Sequence, residues 1–304
     1  MSGSQYCTVG NISIDDLVFP DGTTMWCVPG GNAIYSALGI AIWRERPDVI
    51  APMGPEYPKD VLGDRIDLSH VRLLERNMRN WGLYEEDGTR TFTFRTKTRN
   101  WIEFCPTVAD VHGSRYLYAH LAPLPWPRQI EISEQLRQNG ARVVSVDPDD
   151  RYVHELDSGA IIRLLRAVDL FLPSQQDAEA MLPGRTPLDS LRALRDMAPE
   201  LPVVAVKCGA DGVLMHQAGA DDFIRLPTAA ASVVDATGAG DAFSGGALAG
   251  YSKTSSAVEA VLWGSVSASF AVAATGPAAL VSAGYEEAQA RLGMLRSRIE
   301  TYRI

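Results

Sequence analysis

The segment best suited to chemistry spans positions 233 to 251 and reads VVDATGAGDAFSGGALAGY. Its pattern predicts an apolar strand end, a turn that contains Gly238 and Gly240, and then a helix of small residues. A helix start presents free backbone N–H groups and the positive end of the helix dipole, which stabilise a phosphate or a developing oxyanion. Glycine allows the backbone to approach such an anion closely.

Asp241 stands at the predicted start of this helix. A carboxylate at that position can be an ordinary helix cap. Beside a phosphate, however, it would repel the bound anion, whereas it is well suited to take a proton from an attacking hydroxyl. The arrangement therefore favours phosphoryl transfer to an alcohol, with Asp241 as the base.

Two other phosphate-binding patterns are absent from the sequence. A dinucleotide fingerprint would need glycine at position 243, which is Phe243, and no G-x-x-x-x-G-K-[ST] segment occurs. The sequence therefore excludes a P-loop nucleoside triphosphatase (NTPase) and gives no support for dinucleotide binding.

The chain around this segment alternates between strand-like and helix-like patterns. A strand is predicted at 6–12 and a helix at 31–43, and the second half continues with a helix at 129–139 and strands at 141–147 and 202–207. Such alternation predicts an α/β fold with a mostly parallel sheet covered on both faces. Ligands bind such sheets at the carboxyl ends of the strands.

Two further segments predict a small sheet outside the main core. Residues 81–98 read WGLYEEDGTRTFTFRTKT, with Asp87-Gly88 as a hairpin turn and an alternating strand after it. Residues 15–28 are also strand-like, around their own turn at Asp21-Gly22. We expect the two segments to pair with each other.

The composition argues against several classes of protein. The formal net charge of −9 over 304 residues makes nucleic-acid binding unfavourable, because an acidic surface repels the phosphate backbone. The four cysteines show no zinc-site spacing, which favours free thiols in a reducing cytoplasm. No signal peptide is recognised. The uncharged stretch 260–285 is interrupted at Thr275-Gly276-Pro277, so a buried helix followed by a loop is expected rather than a membrane span.

The motif from Asp235 to Phe243 resembles the C-terminal signature of the ribokinase-like (PfkB) carbohydrate kinases. Other segments resemble that family in the same order along nearly the whole chain: Gly10 to Asp15, Gly30-Gly31, the 81–98 hairpin, Asp147-Pro148-Asp149, Lys207 to Gly212 and Ser265 to Gly276. The resemblance implies one ribokinase-like domain over 1–304, with a doubly wound, mostly parallel sheet. It also implies a discontinuous β-sheet lid from about 13–29 and 81–105.

The resemblance further implies the chemistry. ATP would lie across the C-terminal half and an alcohol substrate under the lid, with Asp241 as the catalytic base. The backbone N–H groups of Gly238, Ala239 and Gly240 would form the anion hole. Mg²⁺ would accompany ATP, and many members bind a monovalent cation such as K⁺ near the anion hole. Lid sheets in the family often pair between subunits, so a homodimer is implied, in the cytoplasm and without a membrane or nucleic-acid partner.

The other candidate site residues fall into three groups. Those expected to contact the alcohol substrate are Asp15, Gly30, Gly31, Asn32, Tyr35 and Arg90. Those expected to border the nucleotide are Ser174, Lys207, Gly209, Gly212, Thr237, Ser265, Ser269 and Gly276. Asp177 is the candidate for an indirect contact with the metal.

Two positions depart from the family pattern, and two arginines have alternative roles. Tyr35 stands where the family has Asn, which indicates a pocket unlike the ordinary ribose or fructose pocket, with Asn32 as another source of an amide. Ser174-x-x-Asp177 replaces Asn-x-x-Glu and is also a capping-box variant, so a helix cap and a metal-linked role are both open. Arg90 and Arg95 can bind an acidic group or lie on a solvated edge strand.

The expected function is therefore ATP-dependent phosphoryl transfer to an alcohol of a sugar or sugar-like molecule. A nucleoside kinase is the nearest alternative, since Tyr35 is compatible with a pocket that stacks a base. A non-catalytic sugar-binding or regulatory protein on the same fold is a further alternative, although the presence of Asp241 and the glycines argues against it.

Overall fold

The computed structural model describes residues 4–95, 98–149, 151, 157–230 and 232–303. The strands in this part of the chain are β1 (Tyr6–Val9), β2 (Ser13–Val18), β3 (Thr24–Gly30), β4 (Asp48–Ile50), β5 (Pro52–Met53), β6 (Arg72–Leu73), β7 (Met78–Tyr84), β8 (Arg90–Phe94), β9 (Tyr118–Leu121), β10 (Val143–Val146), β11 (Leu170–Phe171), β12 (Val203–Lys207), β13 (Val213–Gln217), β14 (Asp222–Leu226) and β15 (Glu300–Arg303). The α-helices are α1 (Asn32–Ala41), α2 (Val108–Val111), α3 (Trp126–Gln138), α4 (Ser158–Arg166), α5 (Gln175–Met181), α6 (Pro187–Met197), α7 (Ala239–Thr254), α8 (Ala257–Ala271), α9 (Ala278–Ser282) and α10 (Tyr285–Arg296).

The large sheet contains nine of the described strands, in the order β15-β14-β13-β12-β11-β10-β9-β1-β4. The strands from β12 to β4 are parallel to one another, whereas β13, β14 and β15 join in antiparallel fashion at the other edge. This confirms the prediction of an α/β fold with a mostly parallel sheet.

Helices cover both faces of the large sheet. Because side chains alternate along each strand, neighbouring residues of one strand pack into different cores. On β12, Val203 and Ala205 lie in a core that includes residues of α1, α7 and α8. Val204 and Val206 lie in a second core, which includes residues of α3, α4 and α6. A strand buried on both faces is apolar, which explains the run of four apolar residues that precedes Lys207 in β12.

A second sheet has the strand order β3-β2-β7-β8. Its two hairpins are antiparallel and meet through the parallel pair of β2 and β7, where Asp15 lies opposite Asn80. The two segments that were predicted to pair therefore do so. The strands of this sheet, called the lid below, cover 13–30 and 78–94, and residues Thr98–Phe104 form a 3₁₀-helix.

The region before and after the Gly-rich turn differs in part from the prediction. The predicted strand end at Val233 was wrong, because residues 232–236 pair with no strand in the described chain, and Val233 and Val234 are exposed. The Val234 N–H instead donates to the Val272 carbonyl beyond the end of α8. Helix α8 is largely buried and is followed by a loop and α9, as predicted. None of the described helices combines the length and apolar character that a membrane crossing requires.

Candidate active site

The Gly-rich turn leads directly into α7. Gly238 precedes the helix with a left-handed backbone (φ 75°, ψ 1°), a conformation that favours glycine. A methyl group at this position would also overlap the ring of Tyr35, which packs against the turn from α1. The Ala239 N–H donates to the Ala236 carbonyl over 3.3 Å, which closes the turn. The first turn of α7 therefore starts at the position that the motif predicted.

Asp241 lies in the first turn of α7 and is partly buried. Burial raises the pKa of its carboxyl group to about 7, the nearby carboxylate of Asp147 adds to this, and the ammonium group of Lys207 opposes it. No hydrogen bond ties the Asp241 carboxylate to another residue in the described part of the chain. A carboxyl group that ionises near neutral pH and has no hydrogen-bond partner among the described residues is suited to accept a proton from a bound hydroxyl.

Lys207 lies beside the Gly-rich turn at the end of β12. Its ammonium group forms an ion pair with the buried Asp147, which also accepts a hydrogen bond from the Ser244 hydroxyl (3.1 Å). A methyl group at Gly240 would lie 3.3 Å from Lys207 Nζ, so the positive charge directly adjoins the start of α7. Asp147 and Ser244 were not among the predicted site residues, although Asp147 belongs to the Asp147-Pro148-Asp149 segment that resembles the family.

Ser174 and Asp177 form the capping box that their spacing predicted. The Ser174 hydroxyl accepts a hydrogen bond from the Asp177 N–H (3.1 Å), and Asp177 Oδ2 accepts from the Ser174 N–H (2.7 Å). Burial, followed by the charge of Asp147, raises the pKa of Asp177 to about 7. Ser174 also bridges to the backbone of Lys207, which places the cap close to the turn. A metal-linked role for Asp177 remains a prediction.

Asp15 lies on the inner face of the lid and is 7% exposed. Its carboxylate accepts a hydrogen bond from Asn80 Nδ2 (2.8 Å), and burial raises its pKa to about 6 against the opposing effect of Asn80 and Ser13. Gly30 packs so closely that a methyl group there would overlap Asp15 Oδ2. Gly31 begins α1 with φ 111°, and a methyl group there would overlap the Asn11 carbonyl. The two glycines therefore allow Asp15 and the start of α1 to lie together.

Asn32 was expected to offer its amide to the substrate, whereas Asn80 was not among the predicted site residues. The Asn32 amide is used within the protein, since Oδ1 accepts from the Asn11 N–H (2.7 Å) and Nδ2 donates to the Pro123 carbonyl (2.8 Å). Asn80 Oδ1, by contrast, is buried without a partner among the described residues. The pairing of β2 with β7 places Asn80 opposite Asp15, but the sequence alone does not give this register.

Tyr84 joins the lid to the Gly-rich turn. Its hydroxyl donates to Asp235 Oδ2 (2.7 Å) and lies 3.3 Å from Thr237 Oγ1, while Asp235 Oδ1 accepts from the Thr237 N–H (2.9 Å). Arg90 lies opposite Tyr84 across the strand pair and is exposed. Arg95 instead donates to the buried Asp16 (2.7 Å), so it contributes to the lid itself and not to the pocket.

The glycines expected near the nucleotide shape turns. Gly209 and Gly212 have φ values of 57° and 87° in the 3₁₀ turn that follows Lys207, and a methyl group at Gly212 would overlap the Leu226 carbonyl. Gly276 has φ 70°, and a methyl group there would lie 2.8 Å from a methyl carbon of Val28 in the lid. The loop with Gly276 therefore lies against the lid.

Ser265 and Ser269, the two serines of α8 that were expected to border the nucleotide, are both buried. The Ser269 hydroxyl donates to the Val266 carbonyl (2.6 Å) and accepts from Arg291 (2.8 Å), which gives it a structural role between α8 and α10. Ser265 is 8% exposed and lies one turn earlier on the same helix. A contact of either residue with a nucleotide stays a prediction.

Comparison with known proteins shows the family of this chain. A family model described as pfkB family carbohydrate kinase matches residues 8–283. The chain belongs to the pfkB family of carbohydrate kinases. This kinase is 28% identical over 251 residues to the cytidine kinase of Thermococcus kodakarensis, covering 81% of this chain and 87% of the relative. It is 27% identical over 261 residues to the 2-dehydro-3-deoxygluconokinase of Haemophilus influenzae, covering 76% and 82%.

The fold of the kinase is shared with solved structures. One is an Escherichia coli protein, provisionally called Ribokinase II, in complex with ATP and Mg²⁺, with a TM-score of 0.76. It is 18% identical, and the match covers 96% of this chain and all of the other. At this identity the match shows a ribokinase fold, consisting of a large mixed sheet covered on both sides and a smaller separate sheet. The family and fold expected from the 235–243 motif are thus confirmed.

Proposed function

We propose that this kinase transfers the γ-phosphoryl group of ATP to an alcohol of a sugar or sugar-like molecule. The observation that supports the proposal most strongly is Asp241, a carboxyl group with a pKa of about 7 in the first turn of α7, beside the Gly-rich turn and Lys207. A group for proton removal and a group of anion-stabilising donors adjoin each other, as phosphoryl transfer requires.

The proposed reaction begins when Asp241 takes the proton of the acceptor hydroxyl. The hydroxyl oxygen forms a bond to the γ-phosphorus, and the bond from that phosphorus to the bridging oxygen breaks, with ADP as the leaving group. The Gly238 and Gly240 N–H groups and the positive end of α7 stabilise the negative charge of the transferring group, and the Ala239 N–H, which already donates to the Ala236 carbonyl over 3.3 Å, contributes less than the resemblance implied. Lys207, which adjoins Gly240, adds a positive charge there.

Mg²⁺ fits this site only as a partner of the phosphates. The described residues contain no group of three or more His, Cys, Asp or Glu side chains that could hold a metal ion. Mg²⁺ characteristically keeps several waters and binds through substrate phosphates with one or two carboxylates. Asp177 and Asp147 are the carboxylates beside Lys207 that could orient those waters, and Mg²⁺ would neutralise phosphate charge.

The acceptor is proposed to lie under the lid. Asp15 and Asn80 offer hydrogen-bond acceptors on its inner face, and the ring of Tyr35 lies between that face and Gly238. A nucleoside is the second candidate acceptor, because the matched relative from Thermococcus kodakarensis is a cytidine kinase. The ring of Tyr35, which was expected to stack on a base, is only 3% exposed and packs against Gly238. Gly30 and Gly31 would allow close approach of the substrate to the backbone.

Three further features belong to the proposal. A monovalent cation such as K⁺ would bind near the carboxylate of Asp235, which lies directly before the anion hole. A homodimer would form through the lids, since Trp26 and Leu83 are large apolar residues exposed on this sheet. The enzyme would work as one domain in the cytoplasm, where free thiols, as found at all four cysteines, are stable.

The proposal is tested by ADP release from Mg-ATP against a panel of sugars, sugar acids and ribonucleosides. We expect at least one acceptor to accelerate ADP release well above the rate with water alone. If purified protein binds ATP and no acceptor in any of these classes accelerates ADP release, the proposed substrate class is wrong. If ATP does not bind, the phosphotransferase proposal itself fails.

A further inference from the structure

The Tyr84 hydroxyl is the lid group that directly contacts the segment leading into the anion hole. Tyr84 is the last residue of β7, and its ring packs against Phe19 from the turn between β2 and β3, with ring centroids 5.0 Å apart. The ring is therefore supported by the lid, while the hydroxyl reaches out of the lid to Asp235 Oδ2 (2.7 Å). These two residues are 151 positions apart and lie in different parts of the fold.

Asp235 connects Tyr84 to the backbone of the predicted anion hole. It is 4% exposed, and its second oxygen accepts the Thr237 N–H (2.9 Å), which fixes the backbone one residue before the left-handed Gly238. Tyr84 also lies 3.3 Å from Thr237 Oγ1. The position of the Gly238 N–H is thus set partly by a carboxylate whose orientation depends on the lid.

The Tyr84 hydroxyl is the donor in its contact with Asp235. A phenol is protonated at neutral pH, and a carboxylate can only accept, so the hydrogen bond runs from Tyr84 to Asp235 Oδ2. A hydrogen bond from a neutral donor to an ionised acceptor is among the stronger kinds in proteins.

Opening of the lid would remove this donor from a buried carboxylate. Asp235 would keep the Thr237 N–H but would lose its partner at Oδ2, and a buried acceptor without a partner is unfavourable. The turn that holds Gly238 would then be less strictly fixed. Conversely, a closed lid fixes the turn before the γ-phosphoryl group is transferred.

We propose that Tyr84 is a positioning residue that couples closure of the lid to the assembly of the anion hole. The inference rests on the proposed phosphotransferase function. An enzyme built in this way orders its anion hole while Tyr84 contacts Asp235 and loosens it when the lid opens, which limits transfer of the phosphoryl group to water. Tyr35 supports the same turn from α1, which is not part of the lid.

The test compares Tyr84→Phe with Tyr302→Phe, a control in which an exposed tyrosine hydroxyl far along the chain, bonded to Glu300, is removed. Tyr84→Phe keeps the ring against Phe19 and removes only the hydroxyl. We expect amide hydrogen exchange of residues 235–240 to become about tenfold faster in the ligand-free protein, while the control matches the wild type. This readout does not require activity.

The kinetic part uses the acceptor identified for the wild type. Tyr84→Phe should lower kcat about tenfold, with little change in the KM for the acceptor, and should raise the amount of ATP hydrolysed per acceptor phosphorylated. A structural role without coupling would leave that ratio unchanged. The inference is overturned if Tyr84→Phe exchanges the amides of 235–240 at the wild-type rate and also hydrolyses as much ATP per acceptor phosphorylated as the wild type does. If the wild type itself transfers no phosphoryl group, the proposed function fails, and the exchange experiment still decides whether Tyr84 orders the turn.

Discussion

Replacing Asp241 by Asn should make the folded protein more stable above neutral pH while removing most of its turnover. Burial and the neighbouring Asp147 raise the pKa of Asp241 from an ordinary value of 3.8 to about 7. The folded protein therefore resists ionisation of this carboxyl group, which the reaction requires. Asparagine has nearly the same shape and carries no charge at any pH.

The size of the effect follows from the difference between the two pKa values. About three pKa units at 1.36 kcal/mol each give an upper bound of roughly 4 kcal/mol at pH 8. The positive end of α7 favours the ionised form and offsets some of this, so we expect a gain of about 2 to 4 kcal/mol in the free energy of unfolding.

The sign of the pH dependence is defined by the raised pKa. Below about pH 4, the carboxyl group is protonated in both folded and unfolded chains, so Asp241→Asn and the wild type should have similar stability. Between about pH 4 and pH 7 the unfolded chain ionises first, and the wild type loses stability as the pH rises. The variant should not show this loss.

The assay is urea unfolding of both proteins at pH 5 and pH 8, with Asp221→Asn at an exposed position as the control. Asp241→Asn should exceed the wild type clearly at pH 8 and less at pH 5, and the control should show no such trend. In turnover, kcat should fall about 10²- to 10⁴-fold, and the wild-type kcat/KM should rise with pH to a plateau above about 7. If Asp241→Asn is less stable than the wild type at pH 8, the assignment of Asp241 as a base whose ionisation the fold opposes is refuted.

Three other substitutions test the surroundings of Asp241. Gly238→Ala should lower kcat about 10²-fold, whereas Gly219→Ala, which has a similar φ of 74° and no atom nearby, should change only stability, as unfolding and turnover assays would show. Lys207→Met should raise the KM for ATP about tenfold or more and should destabilise the fold more at pH 8 than at pH 5, because it leaves Asp147 buried without its cation. Asp15→Asn should raise the KM for the acceptor about tenfold and leave the KM for ATP unchanged in steady-state kinetics.

Local features of the site could be predicted from the sequence, because they depend on residues close together in the chain. The spacing of Ser174 and Asp177 specifies a capping box, and the box is present. The glycines around position 238 specify a turn at a helix start, and α7 begins there. The continuous apolar run of β12 likewise specifies a strand that is buried on both faces.

Contacts between distant segments could not be predicted in this way. The ion pair of Lys207 with Asp147 joins the ends of β12 and β10, which the order of the sheet brings close together on either side of β11. The bond of Tyr84 to Asp235 depends on how the lid docks on the large sheet. The apolar pair Val233-Val234 predicted a strand end, and this was wrong because composition alone does not show whether a partner strand is available.

The central claim is that Asp241 activates an alcohol for phosphoryl transfer from ATP. The most direct measurement follows the label of γ-³²P-ATP into the accepted alcohol with the wild type and with Asp241→Asn, alongside ATP binding to both by titration calorimetry. Label should appear on the alcohol with the wild type, and the variant should bind ATP comparably but transfer label about 10²-fold or more slowly. Label released only as inorganic phosphate, or unchanged transfer in the variant, would contradict the claim.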